Sequence, residues 1–435
     1  MIVALFLACG SAAVAAPTKA PEVKAYEEAN ADLEKLDDEL GKRLQAWLTS
    51  DNPYRRQTAL LRYRTLPGVL PPTAIDPLLS LLDDQTKRPI GSCVYLVHRD
   101  RTGQPMGEGV YEDLADCERN KRSNADLAAE LLPHVAQGAK VRDVLCTKVI
   151  ATVGRKPQHA DQLLPTARTA CSYLELLRAV SQGATPAASQ ALIRIFLAIG
   201  VSPDEKELAG VLPLLSSSDR GTRGLAAMAV LLAGKRQGVK VPLQDAVKIL
   251  TEAVDDDKAD DILRDLPLIG EAAAPLGPAL IRRLERPQAV NPHATLQAVG
   301  ALRKLPPGGF KQLARMLEGD FPDHVLRAIA TLEASDARKL RSQVLRVAQR
   351  RNRRQTELGL PATDLSLALR ALQAADAPLS SAEFQALDRV YQHACLNQPA
   401  SYHDEPNEEW CSEAEKSLTE LALEGGFRFA HPSVY

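Results

Sequence analysis

A short pattern recurs along this chain, and it restricts the fold more than any other feature. Each copy has an apolar segment with Pro near its middle, a polar turn, and then an Ala- and Leu-rich segment that often carries Arg in its first turns. The apolar halves include Ile75-Asp76-Pro77-Leu78-Leu79, Leu131-Leu132-Pro133-His134-Val135, Leu163-Leu164-Pro165 and Val211-Leu212-Pro213-Leu214-Leu215. The fullest copy, GVLPLLSSSDRGTRGLAAMAVLLAG, runs from Gly210 to Gly234. In it Asp219 can cap a helix by accepting from orphan backbone N–H groups, and Gly234 can end that helix. Between them Arg223 is followed by Ala226, Ala227 and Ala229, whose small side chains let a neighbouring helix approach closely. Further second halves read DNPYRRQTALLRYRTL, NPHATLQAVGALRKL and FPDHVLRAIATLEA. Taking Asp219, Asp256, Asn291 and Asp323 as equivalent turn positions gives spacings of 37, 35 and 32, the period of a two-helix unit.

An apolar helix, an Asp-bearing turn and a helix with Arg ahead of an Ala/Leu run resemble HEAT and armadillo-type repeats. The resemblance is strongest from about Pro203 to Ala334 and extends from Asp51 to about Ala375. It implies an all-α fold, an α-solenoid of HEAT-like helical hairpins. No hairpin of this kind can bury its apolar face alone, so neighbours stack and leave a long surface suited to protein partners. Members of such families range from scaffolds to enzyme subunits, so the resemblance does not carry a particular function.

Length agrees with an array. At 435 residues the chain exceeds the roughly 250–300 residues at which one compact core stops growing. Residues 51–380 are assigned to the repeats. Ahead of them, 16–50 is read as a linker and a helix, with Leu33, Leu36, Leu40, Leu44, Trp47 and Leu48 forming one apolar stripe. Two segments break the period. Residues 88–119 alternate Val94, Leu96, His98 and then Val110, Tyr111 about a Gly- and Pro-bearing turn, which predicts a small β-hairpin insertion. Residues 381–435 are read as a C-terminal cap, polar through HDEPNEEWCSE and ending on Phe427, Phe429 and Tyr435.

Residues 1–15, MIVALFLACGSAAVA, carry no charged side chain and end in Ala13-Val14-Ala15, a small-x-small pattern read as a secretory signal cleaved before Ala16. The competing reading is a lipoprotein signal with a lipid anchor on Cys9. No other run of the chain reaches the roughly 18 apolar residues of a membrane span. The expected location is periplasmic or cell-surface. Without Cys9, the cysteines that remain are Cys93, Cys117, Cys146, Cys171, Cys395 and Cys411, an even set that reads as disulfides in an exported chain. Pairing sequence neighbours is simplest, because in an array only adjacent units touch. Free buried thiols are the alternative.

Chemistry is sparse. The sequence has no G-x-S-x-G, H-E-x-x-H, P-loop or dinucleotide fingerprint, and no cofactor is expected. His393, Cys395, His403 and Cys411 could supply two imidazoles and two thiolates to tetrahedral zinc, against the simpler reading of a Cys395–Cys411 disulfide. A basic cluster from Arg338 to Arg354 includes Arg346, Arg350, Arg351, Arg353 and Arg354, which could hold an anion or an acidic partner face; the plain alternative is a solvated helix side. No aromatic residue interleaves with these arginines and the formal charge is −2, so nucleic acid is not an expected partner. The run Asp255, Asp256, Asp257, Asp260 and Asp261 lacks the Gly of a calcium loop and is read as helix capping. The resulting expectation is a protein-binding scaffold of the cell envelope. An envelope enzyme or accessory factor and a lipid-anchored structural protein are the alternatives.

Overall fold

The computed structural model describes residues 40–65, 70–87, 122–135, 138–182, 185–256, 260–286, 292–319, 322–349, 361–396 and 406–427. Among them the regular structure is helical, apart from one antiparallel bridge between Lys87 and Ser123. The all-α fold of helical hairpins expected from the repeat is therefore what these residues form. The β-hairpin expected within 88–119 lies outside the described residues, as do the signal segment 1–15, Leu33 and Leu36. The chain divides into two compact units, Met1–Thr152 with Asp161–Cys171, and Val153–Ala160 with Ser172–Tyr435.

In the first unit, α1 (Leu40–Leu48) packs on α2 (Pro53–Thr65), and α2 packs on α4 (Asn124–Leu131), which also meets α3 (Ile75–Ser80). Helix α2 starts where Asn52 Oδ1 accepts from the Tyr54 N–H at 2.9 Å, and Pro53 occupies the first helical position, where its missing donor costs nothing. Leu48, Leu60, Tyr63, Leu78, Leu82, Leu127 and Leu131 fill the core. Two further helices follow, α5 (Ala139–Arg155), whose last residues are assigned to the second unit, and α6 (Ala160–Ala170). The chain on either side of 88–121 is drawn together: the Asn124 N–H donates to Thr86 O at 3.0 Å, and the Ala125 N–H donates to Asp84 O at 2.9 Å. Arg56 Nε and Asn124 Nδ2 each donate to Asp84 Oδ2 at 2.8 Å. Burial opposes ionisation of Asp84, but hydrogen bonds from Asn124, Thr86 and Arg56 outweigh it and hold the carboxyl below its ordinary pKa.

The second unit is a pile of hairpins in two rows. One row is α8 (Pro186–Ile199), α9 (Arg220–Ala233), α11 (Asp260–Asp265), α13 (Pro292–Ala301), α15 (Pro322–Ile329), α17 (Pro361–Ala374) and α19 (Pro406–Gly425), each packed on the next. The other row is α7 (Tyr173–Ser181), the 3-10 turns Glu207–Gly210 and Leu212–Ser216, α10 (Leu243–Asp255), α12 (Gly277–Glu285), α14 (Gly309–Leu317), α16 (Arg341–Gln349) and α18 (Ser381–Tyr391). Within the second row α10, α12, α14, α16 and α18 touch in series.

The Pro-bearing apolar halves are less regular than the motif suggested. Pro133 and Pro213 stand in 3-10 turns, Pro165 lies inside α6, and Pro275 interrupts Gly270–Leu276 ahead of α12. Proline removes a backbone donor and its ring crowds the carbonyl of residue i−4, so the halves with Pro133, Pro213 and Pro275 take 3-10 form, while α6 continues through Pro165. Gly234 ends α9 as expected, at φ −61. Its role is room: a Cβ there would stand 2.4 Å from Leu243 Cδ2.

Candidate functional site

The structure disperses most of the residues singled out for chemistry. Cys146 and Cys171 lie at bonding distance between α5 and the end of α6, and so do Cys395 and Cys411, joining the π-turn after α18 to α19. With the sulfurs of Cys395 and Cys411 bonded to each other, neither is a thiolate for zinc in this arrangement. His403 and the His393 side chain, like Cys93 and Cys117, lie outside the described residues. In the basic cluster Arg346 pairs with Glu318 at 3.4 Å, while Arg350, Arg351, Arg353 and Arg354 are outside the described residues.

The remaining arginines of that cluster serve the stack. Arg341 grips Glu383 with two hydrogen bonds of 2.8 and 2.7 Å, and Arg338 donates to the carbonyls of Ala375 and Asp376 at the end of α17. Arg341 beside Glu383 holds that carboxyl at a pKa of about 2, against a burial effect in the other direction and with help from the Ser380 cap. The same device recurs at α10. Arg283, only 4% exposed, donates to Val254 O and Asp256 O, Arg286 donates to Asp255 O, and Arg220 joins Ala253 O to the Asp256 carboxylate. Guanidinium groups thus satisfy the last carbonyls of a neighbouring helix, where its dipole is negative. The acidic run is absorbed the same way: Asp255 meets Arg282 and Arg286, and Asp261 meets Arg264. Capping at Asp219 holds as expected, with its carboxylate accepting from the Thr222 N–H at 2.7 Å and from Gln190 of the preceding helix at 2.7 Å.

Two surface features of the second unit were missed in the sequence. The first lies at the starts of α13 and α15, where His293 Nδ1 and His324 Nδ1 approach to 2.9 Å and the ring centroids stand 4.4 Å apart. Asp323 Oδ2 is 3.4 Å from His324 Nδ1, and Arg327, one turn on, lies over the Trp410 ring at 5.7 Å. Burial, then His324 and Arg327, push the His293 pKa below its ordinary value, with Asp323 opposing. Histidine at the second or third residue of two Pro-started helices was the available signal. The second feature is the outward side of α10, where Leu243, Val247 and Thr251 at i, i+4 and i+8 line an open depression of about 490 Å³ with Gln244, Lys248 and Glu252. Leu243 stays 38% exposed.

No described helix is long and apolar enough to cross a membrane, and no group of three or more His, Cys, Asp or Glu among the described residues is placed to hold a metal ion. No family model and no curated protein matches the chain. Among solved structures it is similar to crystal structures of Kap121p and of a Kap121p mutant. Both matches share 14% identity with this chain and cover 93% of it and 48% of the other protein, at TM-scores of 0.36 for the mutant and 0.35 for Kap121p. The chain spans about half the length of those structures.

Proposed function

We propose that this protein is an exported scaffold whose helical rows bind another protein. The observation that carries the reading is the contrast between what the side chains spend on the stack and what they leave outside it. In the second unit Arg283 and the Arg282–Asp255 pair are engaged between neighbouring helices, and the apolar strip of α10 faces outward with a polar border. An apolar strip rimmed by Lys248, Gln244 and Glu252 suits the core-and-rim organisation of a protein interface. The uncharged run at 1–15 and the two cysteine pairs at bonding distance support an oxidising, extracytoplasmic compartment.

Chemical cross-linking in cells, followed by purification of the protein, tests the partner reading. A defined partner should be captured by the wild type and lost, by about tenfold or more, from a Leu243→Glu/Val247→Glu variant that melts normally. Equal capture by both rules out this face. Removal of residues 88–119 is the parallel test of the insertion. For export, mass spectrometry of the isolated protein should show Ala16 as the first residue and no reactive thiol at Cys146, Cys171, Cys395 or Cys411. A cytoplasmic chain with all four thiols reduced overturns that part of the reading.

A further inference from the structure

We propose that His293 and His324 form a two-imidazole chelate for a divalent first-row transition ion of the Cu²⁺ and Ni²⁺ class. Stacking of the row brings these residues, 31 positions apart, to equivalent places at the starts of successive helices α13 and α15. Their Nδ1 atoms are 2.9 Å apart, a separation open to either a hydrogen bond or a shared ion.

A hydrogen bond and a shared ion make different demands on the rings. Each imidazole nitrogen stands about 1.2 Å from its ring centre, so an in-line N–H···N bond would place the centroids roughly 5 Å apart. The observed 4.4 Å, with the rings tilted by 50°, turns the imidazoles off the N···N line. The contact still meets hydrogen-bond geometry; an ion would displace the shared proton, the donor ring keeping its hydrogen on Nε2 instead. A metal about 2.05 Å from each nitrogen, as imidazole ligation requires, would see two nitrogens 2.9 Å apart at an angle of about 90°. That is the cis angle of square-planar and octahedral ions. A tetrahedral ion such as Zn²⁺ needs the nitrogens about 3.3 Å apart.

The surroundings fit a modest site. Asp323 adds a negative charge 3.4 Å from His324 Nδ1. The Arg327 guanidinium, one turn on from His324, lies over the Trp410 ring. Both histidines are partly exposed, so water can complete the coordination shell. Two protein donors imply a dissociation constant in the region of micromolar, far from that of a buried structural site. This inference is independent of partner binding.

The test is titration of the full chain with CuCl₂ and NiCl₂, read by calorimetry and, for Cu²⁺, by the nitrogen superhyperfine pattern in its paramagnetic resonance spectrum. One ion per chain with two nitrogen ligands is expected, and His293→Gln or His324→Gln should each weaken it by at least about tenfold. Should either variant fail to fold, the wild type still answers: in ¹H–¹⁵N histidine spectra, sub-stoichiometric Cu²⁺ should broaden two of the eight imidazoles ahead of the rest. Unchanged binding in the variants, uniform broadening, or no binding below millimolar ion overturns the proposal.

Discussion

Helices α9 and α10 are consecutive in the chain and similar in length, yet the stack uses them differently. In α9 (Arg220–Ala233) every residue from Gly224 to Ala233 is buried, whereas in α10 (Leu243–Asp255) only Ala246, Leu250, Ala253 and Val254 are. Helix α9 is enclosed by α8, α11, α10 and the Leu212–Ser216 turn, so its small residues serve close approach on several sides. Helix α10 is amphipathic and has one side free. Helix α9 therefore supplies enclosed core and α10 offers surface.

The largest effect should come from a hole in the enclosed helix. Leu225→Ala should destabilise the protein by about 2–5 kcal/mol, while Leu243→Ala on α10 should cost about 0.5 kcal/mol or less. Urea unfolding of the two variants checks this, and similar costs would break the distinction between the two helices. Overfilling comes next. A Cβ on Gly300 of α13 would meet Thr331 Oγ1 at 2.5 Å and the Ala328 Cα and O at 3.1 Å, and backbone cannot swing aside. Gly300→Ala should therefore cost about 1–3 kcal/mol by the same measurement. Arg283→Met should cost about 1–3 kcal/mol, because it strips donors from Val254 O and Asp256 O. Hydrogen exchange should localise that loss to the end of α10.

The smallest effect depends on pH. Glu383 has a folded pKa of about 2 against an ordinary 4.5, so the unfolded chain binds its proton first as the solution is acidified. The stabilisation is complete above about pH 4.5 and is lost as pH falls towards 2. Arg341→Met should flatten this part of the melting temperature against pH, and an unchanged slope would remove the Arg341–Glu383 pair as its source.

Several of these features were legible in one dimension. The cap at Asp219 needs only the three residues that follow it, and the Pro that opens α2, α8, α13, α15, α17 and α19 is a local signal for a helix start. The sequential cysteine pairing followed from the rule that only adjacent units touch, and Cys146–Cys171 and Cys395–Cys411 lie where that rule puts them. The basic cluster could be read as a binding feature because the partners of its arginines are distant in sequence. Arg341 meets Glu383 42 residues on, and Arg283 reaches back 29 residues to Val254. Nor did periodicity tell α9 from α10, since an apolar helix enclosed on several sides and one that leaves a strip outside are both rich in Leu, Val and Ala.

By itself the sequence determined that this protein is built from helices in a repeating two-segment unit, because capping, proline placement and apolar spacing act over a few residues of backbone. Only the tertiary structure decided which helices are enclosed, which arginines cap which carbonyls, and that His293 meets His324. Those outcomes depend on the register in which one unit settles on the next, and that register is set by side chains about 30 to 40 residues apart packing and pairing across the stack.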